Sequence, residues 1–320
     1  MKLVSLAINP VPAGATVGMF DGYDGRKLRY ARWEPTRGPI RGTICIFSGR
    51  GEYIEKYFEV VADLRRRGYA VAIHDWRGQG GSERALSNPR KGHVVAFTEY
   101  DRDLAIFMNE IVVPHLPPPY TALGHSLGGN ILLRNAQDEL SPFERMVLVA
   151  PMLEIHSDSM GASQRAARFY AETSALTGLS TTYVKGGDDE PEEFVDFKDN
   201  DLTSDFVRWS RNKAILEAAP ELALGSPTVG WLKSALRSCR LLQRPDYPKY
   251  VAVPLLMFAA GADKIVSSRA IEDFAVELKI GGVILMPGSK HEILQESDAI
   301  RQRFWAAFDA YMGVAIHKAA

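Results

Sequence analysis

Gly124-His125-Ser126-Leu127-Gly128-Gly129 is the stretch on which the reading of this chain turns. An apolar run over residues 120–123 leads into it, and a helix-like run over 127–138 leads out. G-x-S-x-G between a strand and a helix is the pattern of a nucleophile elbow, a strained turn that presents a serine hydroxyl at the end of a sheet. The glycines let neighbouring backbone pass where a Cβ would collide. A glycine-rich loop that matches by chance is the competing reading. The flanking strand and helix, and the partners found downstream, weigh against it. Ser126 is expected to be a catalytic nucleophile.

An elbow serine takes its partners from later in the chain, first an acid and then a histidine. Of the seven histidines, His156, His291 and His317 follow Ser126. His317 falls in the last four residues, where chains fray. His156 comes directly after the strand that follows the elbow helix, too early to leave room for an acid on a later strand. His291 remains, in Met286-Pro287-Gly288-Ser289-Lys290-His291-Glu292, after a strand-like run at 282–285. An ordinary surface histidine is the alternative there. One strand earlier, the apolar run 253–260 reads as a buried parallel strand and breaks at Gly261-Ala262-Asp263-Lys264. Asp263 is expected to accept the Nδ1 hydrogen of His291, fix its tautomer and stabilise the imidazolium. It also suits a helix N-cap, and one carboxylate can fill both roles.

An acyl-transfer site needs two N–H groups where the tetrahedral intermediate's charge develops. One is expected from Leu127, at the start of the elbow helix, where free N–H groups and the dipole favour negative charge. The other is expected from Arg50, in the loop Ser48-Gly49-Arg50-Gly51-Glu52 that follows the strand-like run 43–47. The Arg50 guanidinium is suited to an anionic head group. Pairing with Glu52 or another local carboxylate is the plainer alternative.

The frame agrees with one α/β unit carrying an insertion. The chain has 320 residues, 46% hydrophobic and 24% charged, with a formal net charge of −1, so no global basic field argues for nucleic acid. Arg65-Arg66-Arg67 reads as a solvated helix end. Cys45 falls in a core strand and Cys239 is the other cysteine, which argues against a disulfide framework and permits a reducing compartment. No Cys, His and carboxylate spacing suggests a metal site. The amino-terminal run is short, ends at Asn9-Pro10 and does not read as a signal peptide. No stretch approaches the ~18 apolar residues of a spanning helix. A cytoplasmic location is expected, open to peripheral contact with the inner membrane face; no oligomeric state is implied.

Strands are expected at 15–20, 27–33, 43–47, 70–74, 120–123, 146–150, 253–259 and 282–285, the first two as an antiparallel pair. Helices are expected at 54–67, 97–114, 127–138, 268–278 and 299–311. That alternation predicts a mostly parallel central sheet covered by helices on both faces. It stops between 151 and 249, where helix-like runs at 163–176, 206–218 and 228–242 replace it and an acidic stretch at 186–193 reads as a solvated loop. The insertion falls at the carboxyl ends of the strands, where ligands bind. It is read as a helical cap, dividing the chain into 1–151 and 250–320 as core and 152–249 as cap. Its apolar residues Met152, Leu153, Phe169, Tyr170, Phe206, Trp209, Trp231 and Leu232 are read as cleft lining or as the cap's own core.

These motifs carry a resemblance. With Gly49-Arg50-Gly51-Glu52-Tyr53 before Lys56-Tyr57, Asp75-Trp76-Arg77-Gly78-Gln79-Gly80-Gly81-Ser82, the elbow, Ala150-Pro151-Met152-Leu153, Gly225-Ser226-Pro227-Thr228-Val229-Gly230-Trp231 and His291-Glu292-Ile293-Leu294, the chain resembles the α/β-hydrolases of the lysophospholipase and monoacylglycerol lipase group, in particular the bacterial lysophospholipase L2-like members. Phe47-Ser48-Gly49 departs from the His-Gly that many members carry there. The resemblance implies the α/β-hydrolase fold, hydrolysis of a single-chain lipid ester (lysophospholipid or monoacylglycerol) and no cofactor, with Tyr53, Met152 and Trp231 as substrate contacts. A short-chain carboxylesterase or thioesterase on the same scaffold is the alternative, since fold does not fix substrate. A peptidase, a haloperoxidase-like enzyme or a non-catalytic binding protein stands further off.

Overall fold

In the computed structural model, residues 2–36, 39–137 and 141–314 are described; the end of the expected 127–138 helix and His317 lie outside them. One eight-stranded sheet comprises β1 (Thr16–Asp21), β2 (Lys27–Trp33), β3 (Thr43–Phe47), β4 (Ala70–His74), β5 (Tyr120–His125), β6 (Phe143–Val149), β7 (Leu255–Ala260) and β8 (Gly281–Met286). The spatial order is β1-β2-β4-β3-β5-β6-β7-β8, with β1 and β2 antiparallel and every pair from β4 to β8 parallel. Helices α1 (Phe58–Arg66), α2 (Thr98–Ile106) and α3 (Leu127–Asn135) follow β3, β4 and β5. Between β6 and β7 come α4 (Ser157–Met160), α5 (Gln164–Leu176), α6 (Phe206–Ala218) and α7 (Val229–Leu242); α8 (Ser268–Val276) follows β7 and α9 (Asp298–Tyr311) follows β8.

The continuous apolar runs of the central strands are explained by burial on both faces. In β3, Cys45 and Phe47 join one core while Ile44 and Ile46 join the other; in β7, Met257 and Ala259 oppose Leu256 and Phe258 in the same way. The first core lies against α3, α7 and α8, the second against α1 and α9. Each fully buried Ile or Leu stabilises the sheet by about 1.5–3 kcal/mol. Order in the sheet reverses at β3, whose neighbours are β4 and β5. The crevice beyond the carboxyl ends of β3 and β5 is therefore the place where such sheets bind ligands.

The helical runs expected in the insertion form, and three expected helix starts are side-chain caps. Ser163, Thr228 and Ser267 accept from the N–H groups of Ala166, Trp231 and Ala270 at 3.2–3.3 Å, each cap contributing ~1 kcal/mol. Three details differ from expectation. The 54–67 helix begins as a 3₁₀ turn, Ile54–Tyr57, before α1, and α2 continues as a π-helical segment, Phe107–Val112. The basic triplet is not a solvated end: Arg65 is buried on the carbonyls of Glu34 and Ala13, and Arg67 pairs with Asp309 over the Trp305 ring. The acidic stretch is not wholly solvated either, because Glu193 is buried. Cys45 and Cys239 are buried and unbonded. Among the described residues no helix is long and apolar enough to cross a membrane.

Candidate active site

Ser126 sits between β5 and α3 with φ 49° and ψ −109°, a conformation that L-residues avoid. Holding it there costs of order 1–3 kcal/mol, which the surrounding bonds offset. Its N–H donates to the Val149 carbonyl and its own carbonyl accepts from Asn130 and Met152, all at 3.0 Å. The flanking glycines are required by contact: a Cβ on Gly128 would lie 2.0 Å from the Phe47 carbonyl, and one on Gly124 would lie 2.5 Å from Leu132. The elbow is thus wedged against the loop that follows β3, and Ser126 is left at the carboxyl end of β5.

Asp263 and His291 come from the ends of β7 and β8 and meet. The His291 Nδ1 is 2.8 Å from Asp263 Oδ2, while Asp263 Oδ1 accepts from the N–H groups of Ile265 and Val266 at 2.8 and 3.0 Å. Of the two roles expected for Asp263, the pairing with His291 forms, whereas the helix N-cap is Ser267 and Asp263 closes only the turn before it. Its burial raises the pKa, but the His291 ring and the two backbone donors outweigh burial and hold it below the ordinary range. His291 reaches the elbow through His125: the two rings are 4.8 Å apart, and His125 Nε2 lies 3.3 Å from the His291 carbonyl. No hydrogen bond joins Ser126 Oγ to His291 among the described residues. In unliganded sites such bonds are often long and tighten only with substrate.

The loop after β3 lies beside the elbow, with the Ser48 carbonyl held by Trp76 Nε1 at 2.8 Å where the sequence departs from His-Gly. The N–H groups of Arg50 and Leu127 have no acceptor among the described residues. Arg50 does not pair with Glu52. Its guanidinium instead donates to the Gly225 carbonyl and lies 5.4 Å from the Trp231 ring centroid.

Glu52 has another task, which sequence reading missed. Its Oε2 accepts from the Gly49 N–H, from the Tyr57 hydroxyl at 2.6 Å and from His125 Nδ1 at 3.1 Å. Lys56 Nζ lies 3.4 Å from Glu52, 2.5 Å from Glu292 and 3.3 Å from Glu193 of the insertion. Burial raises the Glu52 pKa, yet His125 and Lys56 outweigh it and hold the carboxylate well below its usual range. For Lys56 burial works downward, and the three carboxylates overcome it and raise its pKa well above normal. One buried cluster therefore ties together the β3 loop, the elbow, the residue after His291 and the insertion. The available signal was Glu52, Glu55 and Lys56 set among the apolar and aromatic residues Tyr53, Ile54, Tyr57 and Phe58 after a glycine loop.

The three expected substrate contacts are buried. Tyr53 is fully buried, donates to the Asn212 carbonyl at 3.0 Å and packs with Ile215, Leu216 and Leu222. That places it in the seam between the sheet domain and α6 rather than on a cleft wall. Met152 is buried behind the elbow. Trp231 packs against Phe97 at 5.8 Å and beneath Arg50. Of the apolar insertion residues, Leu153 is buried, whereas Phe169 and Phe206 are exposed.

Residues 38–298 match the Hydrolase_4 family, described as serine aminopeptidase, S33. The chain is 30% identical over 290 residues to lysophospholipase L2 of Escherichia coli (strain K12), covering 88% of this chain and 83% of that one. It is 30% identical over 136 residues to the monoglyceride lipase of Rattus norvegicus, covering 42% and 43% of the two chains. A soluble variant of monoglyceride lipase from Saccharomyces cerevisiae, solved with a substrate analogue, superposes with a TM-score of 0.74 at 21% identity over 96% of this chain and 98% of that one, which shows the fold. The chain belongs to the Hydrolase_4 family of α/β-hydrolases, within the lysophospholipase and monoacylglycerol lipase group.

Proposed function

We propose that this enzyme hydrolyses carboxylic esters of single-chain lipids, a lysophospholipid or a monoacylglycerol, through an acyl-enzyme on Ser126. The observation that carries the reading is a serine strained at φ 49° at the end of β5, with the 2.8 Å His291–Asp263 pair packed against its neighbour His125. In the first half-reaction Ser126 Oγ attacks the ester carbonyl and His291 takes its proton. Asp263 orients the ring and stabilises the imidazolium. The Arg50 and Leu127 N–H groups hold the oxyanion, and His291 returns the proton to the departing alcohol. Water, activated by the same histidine, then releases the fatty acid. No step calls for a metal or a cofactor. The segment 152–249 acts as the cap over this site, and the lipid class is supported by lysophospholipase L2, which this chain matches along most of its length.

The test is fatty-acid release from a panel of monoacylglycerols, lysophospholipids and short p-nitrophenyl esters, with Ser126→Ala alongside. Turnover of a single-chain lipid that Ser126→Ala lowers by at least ~10⁴-fold, with unchanged thermal unfolding, is expected. Hydrolysis confined to short esters removes the lipid from the reading, and activity in the variant near wild type removes the mechanism.

A further inference from the structure

Arg50 makes no ion pair among the described residues. Other buried arginines spend their forks on carboxylates: Arg29 on Glu55 and Asp75, Arg77 on Asp103 and Glu99, Arg301 on Asp63. Arg65 and Arg84 use several backbone carbonyls instead. Arg50 has one acceptor among the described residues, the Gly225 carbonyl, and its Nε is buried with none. Burial outweighs the fields of Glu192 and Glu193, neither of which pairs with it, and pulls its pKa down to about 10, which still leaves it protonated at neutral pH.

The guanidinium is nonetheless firmly placed. It rests on the Trp231 ring at 5.4 Å, and a Cβ on Gly92 would come within 2.9 Å of Nη2, so the glycine makes its room. A planar, half-buried fork held in place with donors to spare is suited to bidentate binding of a phosphate or carboxylate. Its reach from the chemistry is set by its covalent structure. As many bonds separate the backbone nitrogen of arginine from Cζ as separate the ester carbonyl carbon of a 1-acyl lysophospholipid from its phosphorus. An arginine whose N–H faces the ester is therefore long enough for its guanidinium to meet the phosphate.

We infer that Arg50 selects phosphodiester-bearing substrates, its guanidinium binding the phosphodiester of a lysophospholipid headgroup while its N–H serves the ester. The inference rests on the ester-hydrolase reading above and narrows it to a substrate class. A neutral monoacylglycerol offers this fork no charge.

The experiment compares kcat/KM for 1-palmitoyl lysophosphatidylethanolamine and 1-palmitoylglycerol, both in neutral detergent micelles, in wild type, Arg50→Met and Arg50→Lys. Arg50→Met keeps the backbone N–H. The ratio of lysophospholipid to monoacylglycerol kcat/KM should fall about 30- to 100-fold in Arg50→Met, the loss of one charge-assisted hydrogen-bonded pair. The fall should sit mainly in KM, with Arg50→Lys recovering part of it. Glycerophosphoethanolamine should inhibit p-nitrophenyl butyrate hydrolysis by the wild type at lower concentration than by Arg50→Met. A ratio that stays within threefold overturns the proposal, as does an equal loss on both substrates. Inorganic phosphate inhibiting as well as the glycerophosphodiester overturns the headgroup assignment. If hydrolysis of either lipid survives in Ser126→Ala, the underlying reading has failed; if it is Ser126-dependent and the ratio does not move, this inference alone has failed.

Discussion

Two histidine–carboxylate pairs lie side by side at the end of the sheet, and they are built for opposite ends. His291 meets Asp263 at 2.8 Å and His125 meets Glu52 at 3.1 Å, with the two rings 4.8 Å apart. His125 has an acceptor at each nitrogen, the Glu52 carboxylate and the His291 carbonyl. An acceptor at each nitrogen favours the protonated ring; burial opposes that charge, but Glu52 outweighs it and raises the pKa. His291 has its partner at Nδ1 alone, and Nε2 has none among the described residues. The same two side-chain types thus make a ring held at both nitrogens in one place and a ring with one nitrogen open in the other, as the proposed proton transfer requires. The number of acceptors decides between them, not the pairing itself.

Exchanging each histidine for glutamine is the sharpest way to break this contrast. His291→Gln should lower kcat/KM by ~10⁴-fold or more while leaving the denaturant midpoint nearly unchanged, because it removes the base from an otherwise intact fold. His125→Gln should cost only about 10- to 100-fold in kcat, through a displaced elbow. It should also destabilise the protein by about 3 kcal/mol, since Glu52 loses a buried cation. Equal activity losses in the two variants would mean that His125 takes part in the chemistry.

The smallest effect is on the pH dependence of stability. His125 has a raised folded pKa, so its contribution is fully present below the unfolded value of ~6.5 and drains away as pH rises through the folded value. His74 acts in the reverse sense. Buried against Trp76 and Phe107, it is pushed down to about 3, so its contribution is present above ~6.5 and lost as pH falls toward that value. In chemical denaturation across pH, His125→Gln should flatten the alkaline limb and His74→Phe the acid limb. A His125→Gln change confined to the acid limb would reverse the assignment of His125 as a buried cation.

The parts of the molecule legible in the sequence are those whose cause is local. β3, β4 and β7 stand out because burial on both faces makes their strands continuous apolar runs, and the elbow stands out because Gly128 has no room for a side chain. Asp263 and His291 follow from chain order once the elbow is placed. The Glu52–Lys56–His125–Glu292 cluster was hidden because its contacts span 73 and 236 residues. Glu193 was misread for a related reason: an acidic stretch has the same composition whether its carboxylates face water or a buried lysine. Tyr53 was expected at the substrate through the resemblance alone, and only the position of α6 reveals the seam it fills. Arg50 carried two readings, and the commitment of Glu52 to other donors removed one of them.

The central claim is that Ser126 is the nucleophile, and an organophosphonate probe tests it most directly. After incubation with an alkyl fluorophosphonate, intact-mass and peptide mapping should show one adduct per chain, carried on Ser126, with loss of esterase activity in step with labelling. Ser126→Ala should take up none. An adduct on another residue, or equal labelling of Ser126→Ala, would contradict the account.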